Sequence, residues 1–152
     1  MTVRELLDSA VPRLYRELDE EPEVKADLLS VMGRAYGALG FREDARPLFD
    51  SAVSLRRRTG SDALDLLRDQ THLAFYLRMD GDQAGAESLY QTSLATARRR
   101  FGPRHPNLTF PLVEFGNMWR QHGRWAEAES RLKRCCARRW RFGPTRSGPS
   151  TR

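Results

Sequence analysis

The chain is 152 residues long, a one-domain length, and carries 26 Lys or Arg against 20 Asp or Glu for a net charge of +6. Hydrophobic residues at 39% and charged residues at 30% can support a core, but they fit a surface-rich helical protein better than a compact catalytic one. There is no apolar run of about 18 residues, and Met1 to Glu5 lacks a signal-peptide core, so neither membrane insertion nor export is expected and the cytoplasm is predicted.

A first helix is predicted over about 3–19, with Val3, Leu6, Leu7, Ala10, Leu14 and Leu18 as its apolar stripe and Pro12 expected to kink or divide it. Residues 1–21 are read as a capping helix. From Pro22, placed to open a helix, the sequence repeats itself. Met32-Gly33-Arg34-Ala35-Tyr36, Gly40 and Glu43 to Phe49 align with Leu73-Ala74-Phe75-Tyr76-Leu77, Gly81 and Ala84 to Tyr90. A third copy is Phe115-Gly116-Asn117-Met118-Trp119, Gly123 and Ala126 to Leu132. The columns alternate in size: Gly33, Ala74 and Gly116 are small, as are Ala45, Ala86 and Ala128, and Ala52, Ser93 and Cys135. Tyr36, Leu77 and Trp119 are large, as are Phe49, Tyr90 and Leu132. Small residues let two antiparallel helices close up, and large ones fill the groove beside them. Each copy therefore reads as helix, Gly-containing turn, helix, over about 22–60, 61–102 and 103–141. Ser61 or Asp62 is the expected N-cap of the second copy. One such hairpin cannot bury its own face, so the copies must stack into an all-α solenoid. Residues 142–152, rich in Gly, Pro and Ser, are expected to be a disordered basic tail.

This pattern resembles tetratricopeptide repeats, in the longer variety known from kinesin light chains. Phe101-Gly102-Pro103-Arg104-His105-Pro106-Asn107 is similar to the Leu-Gly-Pro-x-His-Pro loop of that variety, and Gly123-Arg124-Trp125-Ala126-Glu127-Ala128-Glu129 to its usual turn. The resemblance implies a right-handed α-solenoid of about seven helices that acts as a protein-binding scaffold. Upstream, Arg4-Glu5-Leu6-Leu7-Asp8, Arg16-Glu17-Leu18 and Glu21-Pro22-Glu23-Val24 look like the start of the repeat array that follows the kinase domain in many bacterial serine/threonine protein kinases. That implies a signalling module, or a detached C-terminal regulatory fragment of such a kinase.

In a solenoid of this type the inward wall comes from the first helix of each repeat. The residues clear of the packing columns there are Asp27, Ser30, Arg34 and Gly37, then Arg68, Thr71, Phe75 and Arg78, then Phe110, Val113, Asn117 and Arg120. The peptide-binding groove is assigned to Arg34, Arg68, Thr71, Phe75, Arg78, Asn117 and Arg120. Arginine forks suit carboxylates and an Asn amide can bond a peptide backbone, so the expected partner is an acidic peptide or the C-terminal carboxylate of another protein. Self-association through exposed solenoid ends is a further expectation.

Two other classes compete. No Ser, Cys or His sits in a nucleophile motif, Gly33, Gly37 and Gly40 lack the strand a phosphate loop needs, and neither His-Arg-Asp nor Asp-Phe-Gly occurs, so no catalysis is expected. The only cysteines, Cys135 and Cys136, are neighbours with no metal-ligand spacing to His72, His105 or His122, so no metal or cofactor is expected either. The segment with Arg131, Lys133, Arg134, Arg138, Arg139, Trp140 and Arg141 could hold a nucleic-acid backbone without reading sequence. There too the repeat pattern breaks, since Arg131 takes the column of Leu48 and Leu89, which reads as a polar capping helix, as one piece of a longer array, or as a reading frame shifted near residues 131–141.

Overall fold

The computed structural model describes residues 2–121 together with 123, 124, 126 and 130. Over these the chain forms six α-helices: α1 Val3–Glu17, α2 Pro22–Ala38, α3 Arg42–Thr59, α4 Ala63–Met79, α5 Gln83–Phe101 and α6 Thr109–Gln121, with a short 3-10 turn, Pro106–Leu108, ahead of α6. No strand occurs among the described residues. The expected seventh helix, the tail and both cysteines lie outside them.

Local chemistry sets the helix ends. Thr2 and Glu5 form a reciprocal capping box on α1, Pro22 occupies the first turn of α2, Asp62 accepts from the Leu64 amide at 2.7 Å, and Asp82 accepts from the Gly85 amide at 2.9 Å. Pro12 neither divides nor ends α1, which runs unbroken from Val3 to Glu17.

The repeat is visible in its hydrogen bonds. After α2, α4 and α6 the chain reverses on Gly40, Gly81 and Gly123, at φ of 86°, 91° and 70°, a left-handed backbone that side chains disfavour. At each turn the residue after the glycine donates to the large-residue column: Phe41 to the Tyr36 carbonyl at 2.9 Å, Asp82 to that of Leu77 at 2.9 Å, and Arg124 to that of Trp119 at 3.0 Å.

Two buried clusters form the core. One joins α2, α3 and the α4 residues Leu73 and Tyr76; the other joins α4, α5 and α6 around Tyr90, Phe115 and Trp119. Leu77 and Leu89 pack against both, so the core is continuous. The small column works by close approach: a Cβ added at Gly33 would lie 2.8 Å from the Phe49 ring, which is itself fully buried. α1 buries no residue completely; Leu7, Ala10, Val11 and Leu14 face the core, while Val3 and Leu6 of the expected stripe are exposed. No described helix is long and apolar enough to cross a membrane.

Candidate functional site

The first helices of the successive units, α2, α4 and α6, carry the candidate wall. On α4, Arg68 and Met79 are exposed and His72, Phe75 and Arg78 are half-buried, whereas Thr71 of the expected Arg68, Thr71, Phe75 and Arg78 is buried. Thr71 is fully buried and its hydroxyl donates to the Leu67 carbonyl at 2.7 Å, so it presents nothing to a ligand. Arg78 is half-buried, donates to Gln121 Oε1 at 2.5 Å, and lies 5.1 Å from the Phe75 ring centroid. It ties α4 to α6 rather than reaching outward.

His72, absent from the sequence-derived set, is half-buried between Arg68 and Phe75. Its ring stacks on Phe49 of α3, with centroids 4.8 Å apart and planes at 20°, and meets Phe110 of α6 at 5.5 Å. Burial lowers its pKa from 6.5 to about 4, with Arg34 and Arg68 pushing the same way. The imidazole is therefore neutral at pH 7, and guanidinium groups from two different helices act on one ring. Arg34 is exposed and makes no ion pair among the described residues; Arg68 is exposed and pairs with Asp65 at 3.1 Å.

Around these cations the wall is apolar. On α6, Phe110 and Val113 are exposed, Asn117 is half-buried and Arg120 is exposed. On α2, Val24, Leu28 and Val31 form a second apolar row on its open side. That row could have been found in the sequence, because α2 has apolar residues at helical spacing on two sides.

The acidic member of the expected set is already engaged. Asp27 accepts from Arg56 Nη2 at 2.6 Å, while Arg56 Nε donates to Asp69 at 2.6 Å and the Ser30 hydroxyl donates to the same Asp69 oxygen at 2.7 Å. Arg56, Asp69 and Ser30 are all buried, so these residues clasp α2, α3 and α4 and do not line a groove. Burial pushes the Asp69 carboxyl up against the opposing pull of Arg56 and Ser30. Half-buried Gly37 has the Tyr76 hydroxyl against it. No group of three or more His, Cys, Asp or Glu able to hold a metal occurs among the described residues. The basic segment Arg131 to Arg141 lies outside them.

The wall can therefore offer three guanidinium groups, a neutral imidazole, an amide and a strip of apolar and aromatic surface. The family model that matches this protein is described as a tetratricopeptide repeat and covers residues 25–99 and 70–139. Among solved structures, the crystal structure of BtubC (BKLC) from P. vanneervenii is similar at a TM-score of 0.56 and 16% identity, over 97% of this chain and 78% of that one. A comparison with curated proteins finds no match.

Proposed function

Because the chain belongs to the tetratricopeptide repeat family, in its longer kinesin-light-chain-like form, we propose that its inward wall holds an acidic peptide or helix of a partner protein. The family is a non-enzymatic scaffold fold that generally mediates protein–protein interaction. The ligand proposed here has carboxylates, from side chains or a C-terminus, set beside apolar anchors. Arg34 and Arg68 take the carboxylates. Phe75, Phe110 and Val113 take the anchors, while Asn117 and Arg120 extend the polar contact along α6. Thr71 and Arg78 serve the wall from behind, as filler and as the α4–α6 tie.

The observation that carries this reading is the convergence of Arg34 and Arg68 on His72, against the exposed ring of Phe110. Positive charge without full neutralisation beside apolar surface suits an anionic amphipathic ligand. A fluorescein-labelled helical peptide of Leu and Glu, compared with its Leu and Gln counterpart, tests it. The Glu peptide is expected to bind more tightly, and R34E/R68E to weaken it at least ~10-fold, about 1.4 kcal/mol. Equal binding of the Gln peptide, or indifference to R34E/R68E, overturns the acidic ligand.

The signalling role, and any origin beside a kinase, are also proposals, and they rest on the resemblance of residues 4–36. Sequencing the flanking DNA tests them: an adjoining kinase domain supports the role, and its absence removes it.

A further inference from the structure

A second groove lies between α3 and α4, lined by Glu43, Arg46, Pro47 and Asp50 of α3 and by Leu73, Leu77 and Asp80 of α4, with a volume of about 430 Å³. Its floor is apolar, and its rim carries three carboxylates against one guanidinium. Arg46 is already committed, since its Nη1 meets Asp80 at 2.8 Å. Glu43 and Asp50 are exposed and make no ion pair among the described residues. They sit seven residues apart on one helix, two turns along the same face and so about 10 Å from each other. An occupant must therefore be basic and must bring an apolar side chain between its cations.

The protein's own sequence contains such a segment. Residues 1–50 hold 11 acidic against 7 basic groups, whereas residues 101–152 hold 11 basic against 3 acidic. Within the latter, Arg138-Arg139-Trp140-Arg141-Phe142 places aromatic side chains among three arginines with no acid beside them. We propose that the groove between α3 and α4 receives residues 138–142 of a second copy of the protein, so that copies join head to tail. Trp140 of that copy enters over Leu73, Leu77 and Pro47, and its arginines meet Glu43 and Asp50. Groove and segment are different patches, so the contact is heterologous and extends from copy to copy instead of closing as a two-fold dimer. The repulsion between like ends favours this polarity over tail-to-tail or groove-to-groove contact.

The test is sedimentation velocity on the full-length protein over a range of concentrations, with reductant present because Cys135 and Cys136 precede the segment in sequence. The wild type is expected to form concentration-dependent oligomers at about 50 mM salt that dissociate towards monomer near 0.5 M, where charges are screened within about 4 Å. E43R/D50R and R138E/R141E are each expected to be monomeric. Each retains one intact partner surface, and the two reversed surfaces are again opposite in charge, so an equimolar mixture should regain association that neither variant shows alone. Glu43 and Asp50 are outside the buried core, and matching thermal melts by circular dichroism identify variants that remain folded. A wild type that stays monomeric at every concentration overturns the proposal, including the case where the segment occupies its own copy's groove. So does association that survives either charge reversal, or a mixture that stays monomeric. The acidic-peptide assay on Arg34 and Arg68 reads a different surface, so the two proposals fail separately.

Discussion

His72 shows how one residue can belong to the core and to the wall at once. Its ring completes the stack begun by Phe49, yet it lies close enough to Arg34 and Arg68 for their charges to oppose its protonation. The folded pKa of about 4 lies below the ordinary 6.5, so the unfolded state takes up the proton more readily than the native one. The stabilisation is therefore complete above about pH 6.5 and is lost as pH falls towards 4, amounting to about 1 kcal/mol by pH 5.5. His72→Phe should remove that slope: urea midpoints at pH 7.5 and 5.5 should differ less in the variant than in the wild type, and equal slopes would place the imidazole in solvent. The sequence did not single out this residue, for a geometric reason. With 3.6 residues per turn, Thr71 and His72 are both acceptable between Arg68 and Phe75. The choice is made by Phe49, on a different helix, which draws His72 to the wall side and leaves Thr71 buried. Arg34, Arg68 and Arg120, which are exposed, could be placed on the surface from periodicity, whereas the half-burial of Phe75 and Asn117 and the tie of Arg78 to Gln121, 43 residues away, could not.

At the scale of helices, the units are held together by unlike means. The α4–α5–α6 junction is mostly apolar and aromatic, whereas α2, α3 and α4 are joined by the buried Arg56–Asp69 pair with Ser30 and Asp27 attached. Removing one partner leaves the other charge buried, so Arg56→Met should cost about 3 to 5 kcal/mol. Replacing both, as Arg56→Met with Asp69→Leu, should recover most of that loss because no charge remains uncompensated. Urea denaturation of the two single variants and the double variant gives the coupling, and additive losses would show that the pair contributes nothing as a pair. The helices and their turns were legible from the sequence because they depend on near neighbours: glycines at fixed spacing, small and large columns, Pro22 and Asp62 at helix starts. The clasp was not. Arg56 aligns with Ala97, and Asp69 with Leu28 and Pro111, so the repeat pattern gives no hint of a pairing that occurs, among the described residues, at one junction.

Across the whole molecule, stability should vary with position because each repeat of a stacked array touches only its neighbours. Leu77 and Leu89 lock the two core clusters into one unit spanning α2 to α6. α1 stands apart: it has no fully buried residue, and beside the packing of Leu7, Ala10, Val11 and Leu14 it is fastened by polar contacts, among them the Tyr36 hydroxyl to Asp8 at 2.5 Å, the Tyr15 hydroxyl to Ser51 at 2.9 Å, and Lys25 Nζ to the Tyr15 carbonyl at 3.0 Å. Burial and the hydrogen bond to Asp8 raise the Tyr36 hydroxyl pKa from 10.0 to about 12. Polar contacts at half-exposed positions contribute little each, about 0.5 to 1.5 kcal/mol, so α1 should open while the remaining helices stay folded. Hydrogen exchange at neutral pH should show the amides of α1 exchanging at least ~30-fold faster than those at the centres of α3 and α4, a gap of about 2 kcal/mol. Tyr36→Phe should widen that gap by freeing Asp8 while leaving α3 and α4 unchanged. Protection of α1 equal to that of α4 would mean that Leu7, Ala10, Val11 and Leu14 bind it into the same cooperative unit, and the array would then unfold as one body.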